Sequence, residues 1–206
     1  MLHEALRHVG HRQTRNRGTI GGSLCHLDPS AELVNICMLL DATLHAQSSD
    51  GTREIPMSDF AAGYMTTALE PHELLSEITL PLPSSRDGSA FVEFARRHGD
   101  FAIAGATVAV ALDDNGRVQR CGIGLLGLGS TPLRGSAAEN AVIGEQAEAV
   151  TAEDVGRLAI AGLSEIPADL QGSAQYRSRV GTAMVARAWA AAVRQAEMSE
   201  TEAIHA

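Results

Sequence analysis

Aromatic residues are scarce in this chain, at 3% of its 206 positions. So little ring surface excludes the stacking platforms on which single-stranded nucleic acid lies. Cysteine is equally thin. Cys25, Cys37 and Cys121 are odd in number, far apart and without C-x-x-C spacing, so they supply neither a disulfide framework nor a zinc or iron–sulfur site. No apolar run approaches the roughly 20 residues a membrane span needs, and Met1-Leu2-His3-Glu4 lacks a signal-peptide core. A cytoplasmic protein is therefore expected. Positive charge is also short: 16 Lys and Arg face 25 Asp and Glu, for a net charge of −9, and the only tight group of three is Arg12, Arg15 and Arg17. An acidic surface without a basic patch excludes nucleic acid or an anionic membrane as the main partner. There is no G-x-x-x-x-G-K-[ST], and no G-x-G-x-x-G that follows a strand, so neither a P-loop nor a Rossmann nucleotide site is supported. No Ser/His/Asp set or proton-abstracting dyad stands out, and no catalytic residue is assigned.

What the chain does have is 45% hydrophobic residues, enough to bury one sizeable core or two small ones. Its organising stretch is Arg15-Asn16-Arg17-Gly18-Thr19-Ile20-Gly21-Gly22-Ser23, followed by Leu24-Cys25-His26-Leu27-Asp28-Pro29-Ser30-Ala31-Glu32-Leu33. The Gly21-Gly22 pair, between a β-branched pair and a small hydroxyl residue, is backbone bared of side chains. Two readings stand: an anion-binding concavity of N–H groups helped by the Thr19 and Ser23 hydroxyls and the nearby arginines, or a structural turn. Asp28-Pro29 next reads as a helix cap with proline at the first helical position and Glu32 in the first turn.

Along the chain, Leu2, Ala5, Leu6 and Val9 recur at helical spacing and predict a short helix over residues 2–10. Leu33, Val34, Ile36, Cys37, Leu39 and Leu40 are too dense for a surface helix, so the helix after Asp28-Pro29 is expected to be buried on most sides. Residues 42–47 and 52–55 predict strands joined by Ser48-Ser49-Asp50-Gly51, and 73–80 another. Strands are expected at 91–95, 105–112 and 118–126, the last two joined by the hairpin signal Asn115-Gly116. Helices follow at about 136–143, after the capping box Thr151-x-x-Asp154, and from 173 to 197, where Met184 and Trp189 read as core contacts.

The glycine segment, with His26, Asp28-Pro29 and Glu32-Leu33 behind it, closely resembles the second flavin-contacting segment of the FAD-binding medium subunit of molybdenum hydroxylases, the carbon monoxide dehydrogenase and xanthine dehydrogenase group. Arg96-Arg97-His98-Gly99-Asp100-Phe101-Ala102 looks like the segment opening that family's C-terminal domain. Gly127-Leu128-Gly129-Ser130-Thr131-Pro132 resembles its turn before a helix, and Gly172-Ser173-Ala174-Gln175-Tyr176-Arg177 its Ser-Ala-x-Tyr-Arg helix start.

The resemblance implies an α+β fold: the second half of a PCMH (vanillyl-alcohol-oxidase-type) FAD-binding domain over residues 1–82, a linker at 83–88, a CO dehydrogenase flavoprotein C-terminal domain over 89–197 and a frayed tail at 198–206. Complete members carry, before this point, a subdomain whose Ala-Gly-Gly loop holds the other side of the FAD diphosphate, and the sequence is expected to lack it.

From the family, Thr19, Ile20, Gly21, Gly22 and Ser23 are expected at the FAD diphosphate, and the cap residue Asp28 is expected among the cofactor-binding residues. Glu32 either reaches a ribose hydroxyl or ring edge or pairs with a helix dipole. His26 either stabilises charge on reduced flavin or is structural. Asp100 and Phe101 come back over the isoalloxazine ring, although an ordinary core phenylalanine would look the same; Tyr64 is a weaker candidate.

The resemblance further implies an electron-transfer role. FAD is the cofactor of this chain, with molybdopterin in a large partner subunit and 2Fe-2S centres in a small one, in a dimer of heterotrimers. Two alternatives from other classes are a truncated, non-catalytic assembly remnant that binds no FAD alone, and a stand-alone PCMH-type flavoreductase related to the UDP-N-acetylenolpyruvoylglucosamine reductase branch.

Overall fold

The computed structural model describes residues 1–81 and 87–204, with side chains up to residue 198. The chain opens with three short helices, α1 (Leu2–His8), α2 (Arg12–Arg15) and α3 (Ile20–His26), then α4 (Glu32–Leu39). A three-stranded antiparallel sheet follows, in the order β2-β1-β5, from β1 (Thr43–Ser48), β2 (Gly51–Pro56) and β5 (Leu74–Thr79). Between β2 and β5 lie the single turn α5 (Met57–Phe60) and a two-stranded ribbon, β3 (Ala61–Gly63) with β4 (Thr66–Thr67). The β1–β2 hairpin turns on Ser49-Asp50, pairing Leu44 with Ile55 and Ser48 with Gly51.

The second half is an antiparallel sheet in the order β6-β7-β8-β9, from β6 (Asp87–Phe94), β7 (Ala104–Leu112), β8 (Val118–Leu126) and β9 (Leu133–Arg134). Helices α6 (Ser136–Val142), α7 (Ala152–Ala161) and α8 (Ala174–Ile204) complete it. The α8 helix lies across β6 and β7, and α7 packs on α8.

Strand alternation decides which layer covers which face. Val108 and its partner Ile123 belong to the core shared with Val185, Ala188 and Trp189 of α8. Thr107 and its partner Gly124 face the other way, toward α4. There the Thr107 hydroxyl donates to Asn35 Oδ1 at 2.6 Å, and a Cβ on Gly124 would lie 2.8 Å from the Asn35 amide. The missing side chain lets α4 settle on this sheet, which is why α4 is buried along its whole length. Helix α4 thus serves two cores. One holds Leu24, Val34, Cys37, Leu44 and Phe60; a seam cluster holds Ala5, Ile36, Phe91, Ala102 and Leu126.

Several expectations need correction. The glycine stretch is a helix rather than an open turn. Thr19 is the N-cap of α3, its Oγ1 accepting the Gly22 N–H at 2.9 Å, and Leu27 closes it in the left-handed region at φ 54°. The cap and the full burial of Leu24 outweigh a helix cost of about 1 kcal/mol per glycine. Asp28 does not cap α4: its Oδ1 accepts the Ser30 N–H in an Asx turn, the Pro29 carbonyl accepts the Gly127 N–H, and α4 begins only at Glu32. At the expected linker, 83–86 lie outside the described residues, but Asp87 and Gly88 belong to β6, paired with Ala111 and Val110. A Cβ on Gly88 would lie 2.0 Å from the Ala192 carbonyl oxygen, so this glycine is there to let α8 rest on the strand. The expected tail also changes, since α8 continues to Ile204.

Candidate functional site

A cleft of about 600 Å³ opens where the two halves meet. One wall is α1, through Leu2, Leu6 and Val9; the floor is the start of α3 and α4; the far side is Gly99, Asp100 and Phe101 from the β6–β7 connection. Gly99 sits at φ +88°, and a Cβ there would fall 2.7 Å from His11 Nδ1. A left-handed residue without a side chain is what this turn needs to bring Asp100 and Phe101 across the seam.

Of the residues expected from sequence, Thr19, Ile20, Gly22, Ser23, His26, Glu32, Asp100 and Phe101 all line this cleft. Gly21 and Asp28 do not. A Cβ on Gly21 would point at Leu75 of β5, so this glycine lies on the side of α3 that packs on the first sheet, while Asp28 is spent in its Asx turn. Tyr64, on the β3–β4 ribbon, is 63% exposed and is not part of the lining.

The polar end of the cleft is the start of α3. The Thr19 oxygen accepts the Gly22 N–H, which leaves its hydroxyl hydrogen free to donate outward. Arg15 stands on the rim, its Nη1 donating to the carbonyls of Val9 and Gly10 at 2.9 and 3.0 Å. Positive charge is thereby fixed beside the glycines and at the end of α1. The apolar end is made by Leu2 and Leu6, each 39% exposed, and by Phe101, 49% exposed. Large apolar side chains left open to solvent in a concave site mark a ligand surface.

Glu32 is the acid of the site. It is 6% exposed, and burial pushes its carboxyl up to about 7, helped by the charge of Glu93 and opposed by its own backbone N–H and by His8. Desolvation therefore outweighs the helix-terminus effect expected at this position. His26, the last residue of α3, is exposed at the rim.

Sequence reasoning missed the contribution of α1. Its apolar spacing was legible, but in a helix of seven residues only Ala5 is buried, leaving Leu2 and Leu6 for the cleft. Glu93 and His8, behind Glu32, were also missed, because only folding brings β6 against α1. Among the described residues no group of His, Cys, Asp and Glu could hold a metal ion, and no helix is long and apolar enough to cross a membrane. Cys25, Cys37 and Cys121 are all free.

Two family models cover nearly the whole chain: the FAD binding domain in molybdopterin dehydrogenase matches residues 1–83, and the CO dehydrogenase flavoprotein C-terminal domain matches 89–192. The chain belongs to this family, the FAD-binding flavoprotein (medium) subunits of the molybdenum hydroxylases. It is 40% identical, over all of its own length and 69% of the relative's, to the 6-hydroxypseudooxynicotine dehydrogenase complex subunit alpha of Paenarthrobacter nicotinovorans. It is 35% identical to the caffeine dehydrogenase subunit beta of Pseudomonas sp. (strain CBB1), covering 93% of this chain and 65% of that one. Among solved structures, carbon monoxide dehydrogenase from Hydrogenophaga pseudoflava superposes with a TM-score of 0.89 at 33% identity, over 95% of this chain and 67% of that one. The chain thus spans about two thirds of the length of these relatives.

Proposed function

We propose that this chain is the FAD-binding electron-transfer subunit of a molybdenum-hydroxylase-type oxidoreductase. In this reading it takes electrons from 2Fe-2S centres in a small partner subunit and passes them to an external acceptor, while substrate is oxidised at molybdopterin in a large partner subunit. The assembly is a dimer of heterotrimers working in the cytoplasm. The observation that carries the reading is that one cleft gathers a hydroxyl-rich helix start, a buried acid and an open aromatic from two separate stretches of the chain.

The lining suits FAD chemically. Thr19 and Ser23 offer hydroxyl donors, and Arg15 a cation, for the diphosphate. Gly21 faces the first sheet, on the side of α3 away from the ligand. Asp28 and Pro29 hold the turn from which α4 presents Glu32, which is placed to accept from a ribityl or ribose hydroxyl. Phe101, Leu2 and Leu6 keep water from the ring system. His26 at the rim offers a proton or positive charge where negative charge develops on the ring, and Asp100 faces the cleft beside Phe101. Bound here, FAD supplies two-electron redox chemistry that can be entered one electron at a time.

The test is the visible absorbance of the purified full chain, alone and co-expressed with its partner subunits, with the flavin extracted and identified. FAD at near one per chain is the expected result. A folded but colourless protein in both preparations overturns the reading.

A further inference from the structure

Behind the cleft wall lies a cluster of titratable side chains that the binding reading does not use. Glu93 comes from β6, and its side chain is 4% exposed. Its Oε1 is 3.0 Å from Nδ1 of His8, the last residue of α1, while its Oε2 is buried without a hydrogen-bond partner. Phe91, two residues earlier on the same face of β6, belongs to the apolar seam cluster with Ala5, Ile36 and Ala102, none of which offers a side-chain donor. A carboxylate with a bare oxygen in such a seam is strongly disfavoured, and a neutral acid or a carboxyl sharing a proton is not. The His8 ring lies 5.3 Å from Phe91 and 6.1 Å from the ring of exposed His98, and 36% of its side chain is in contact with solvent. On the inner side stands Glu32, which is buried, lines the cleft and feels the charges of Glu93, His8 and Asp28.

We propose that Glu32, Glu93 and His8 form a proton-exchange site in the cleft wall. Burial leaves one carboxyl from each half of the molecule able to hold a proton, and the proton on Glu32 leaves for solvent when a hydroxyl-bearing ligand engages that side chain. The proposal rests on the FAD reading for the ligand's identity but not for the cluster itself. The exchange balances simply. Glu32 gives up its proton to water in the cleft as it becomes an acceptor for a ribityl or ribose hydroxyl, and the charges of the Glu93–His8 pair, which Glu32 feels, set how readily it does so. No other bond forms or breaks. Burial pushes both carboxyls up to about 7, so at neutral pH a proton is present to be released. Because Glu93 and His8 come from β6 and α1, this site exists only when the two halves are closed on each other. Ligand binding, proton release and closure of the seam are therefore linked.

The experiment follows the glutamate carboxyl carbons of the full chain by NMR across about pH 4 to 9. Two glutamates are expected to titrate near neutrality. Glu93→Gln removes one and moves the Glu32 midpoint down, because a like charge is gone; His8→Gln moves Glu32 up, because a neighbouring positive charge is gone. Both glutamates titrating in the ordinary carboxylate range, or a Glu32 midpoint indifferent to both variants, overturns the proposal. His8 lies at a half-exposed helix end, so its variant tests the coupling even where Glu93→Gln fails to fold.

With FAD itself as the probe, heats of binding in buffers of different ionisation enthalpy are expected to report about half a proton released at pH 7 and close to one at about pH 6. Below neutral pH, affinity is expected to fall by up to about tenfold for each unit the pH is lowered, and Glu93→Gln shifts this fall to lower pH. Binding without proton release overturns the proposal. A failure to bind FAD counts against the functional reading alone, since the carboxyl titration still decides the cluster.

Discussion

The two larger sheets of this molecule behave as opposites. In β7 every residue but Ala109 is buried, because α8 covers one face and α4 the other. In β2 only Ile55 is buried, and in β5 none is. The second sheet is a scaffold held from both sides, and the first is a half-covered support whose order depends on the helices packed on it. Most of the cleft lining comes from the first half, yet the side chain that closes the cleft, Phe101, hangs from the second. Stability and ligand contact are thus divided between the halves, with the seam formed by Ala5, Ile36, Phe91, Ala102 and Leu126 coupling them.

The largest effect that sharpens this contrast is expected in the scaffold. Trp189→Ala removes a fully buried ring from the α8 core and should cost about 3–5 kcal/mol, read by chemical denaturation as loss of the whole fold. In the other core, Leu24→Ala empties a buried position beneath the cleft floor at about 2–4 kcal/mol. Its signature should differ: flavin release at a lower temperature than the loss of far-UV circular dichroism. Coincident transitions would break the proposed division of labour.

Next comes the pH dependence. Glu32 and Glu93 have folded-state pKa values near 7 against a reference of 4.5, so between those values the folded chain binds more protons than the unfolded one. Stability should therefore fall as pH rises through that window and level off above it, by on the order of 1 kcal/mol per carboxyl after screening. Denaturation midpoints across the range check this, and Glu93→Gln should shallow the slope. The smallest stability effect belongs to the cleft surface. Phe101→Ala, half-exposed, should change unfolding by no more than about 0.5 kcal/mol, while weakening FAD binding about tenfold, measured by fluorescence quenching.

Much of this architecture could be read locally. The Asn115-Gly116 hairpin forms as expected, with Gly116 at φ +74° and Asp113 accepting the N–H groups of Asn115 and Arg117. The Ser49-Asp50 turn, the dense apolar α4 and the long alanine-rich α8 follow from composition and spacing as well. The misread places are those where distant packing reverses a local preference. Gly21-Gly22 favours a bend by itself, but a helix once Thr19 caps it and Leu24 is buried. Asp28-Pro29 looks like a helix cap until the Gly127 N–H takes the Pro29 carbonyl and delays α4 to Glu32. Gly88 reads as linker until α8 lies across it.

For the site, the family resemblance of the motifs that carry Thr19, Ser23, Glu32, Asp100 and Phe101 was enough to nominate them. That Leu2 and Leu6 join them, and that Gly21 and Asp28 turn away, depends on which side of each helix meets the sheets. The sequence alone determined element types, turn chemistry, the absence of a cysteine framework and membership of the family, because these depend on near neighbours and motif identity. Only the tertiary structure decided that Glu32 feels the charges of Glu93 and His8, since residues so far apart in the chain come together, and the two carboxyls become buried, only when α1, α4 and β6 pack on one another.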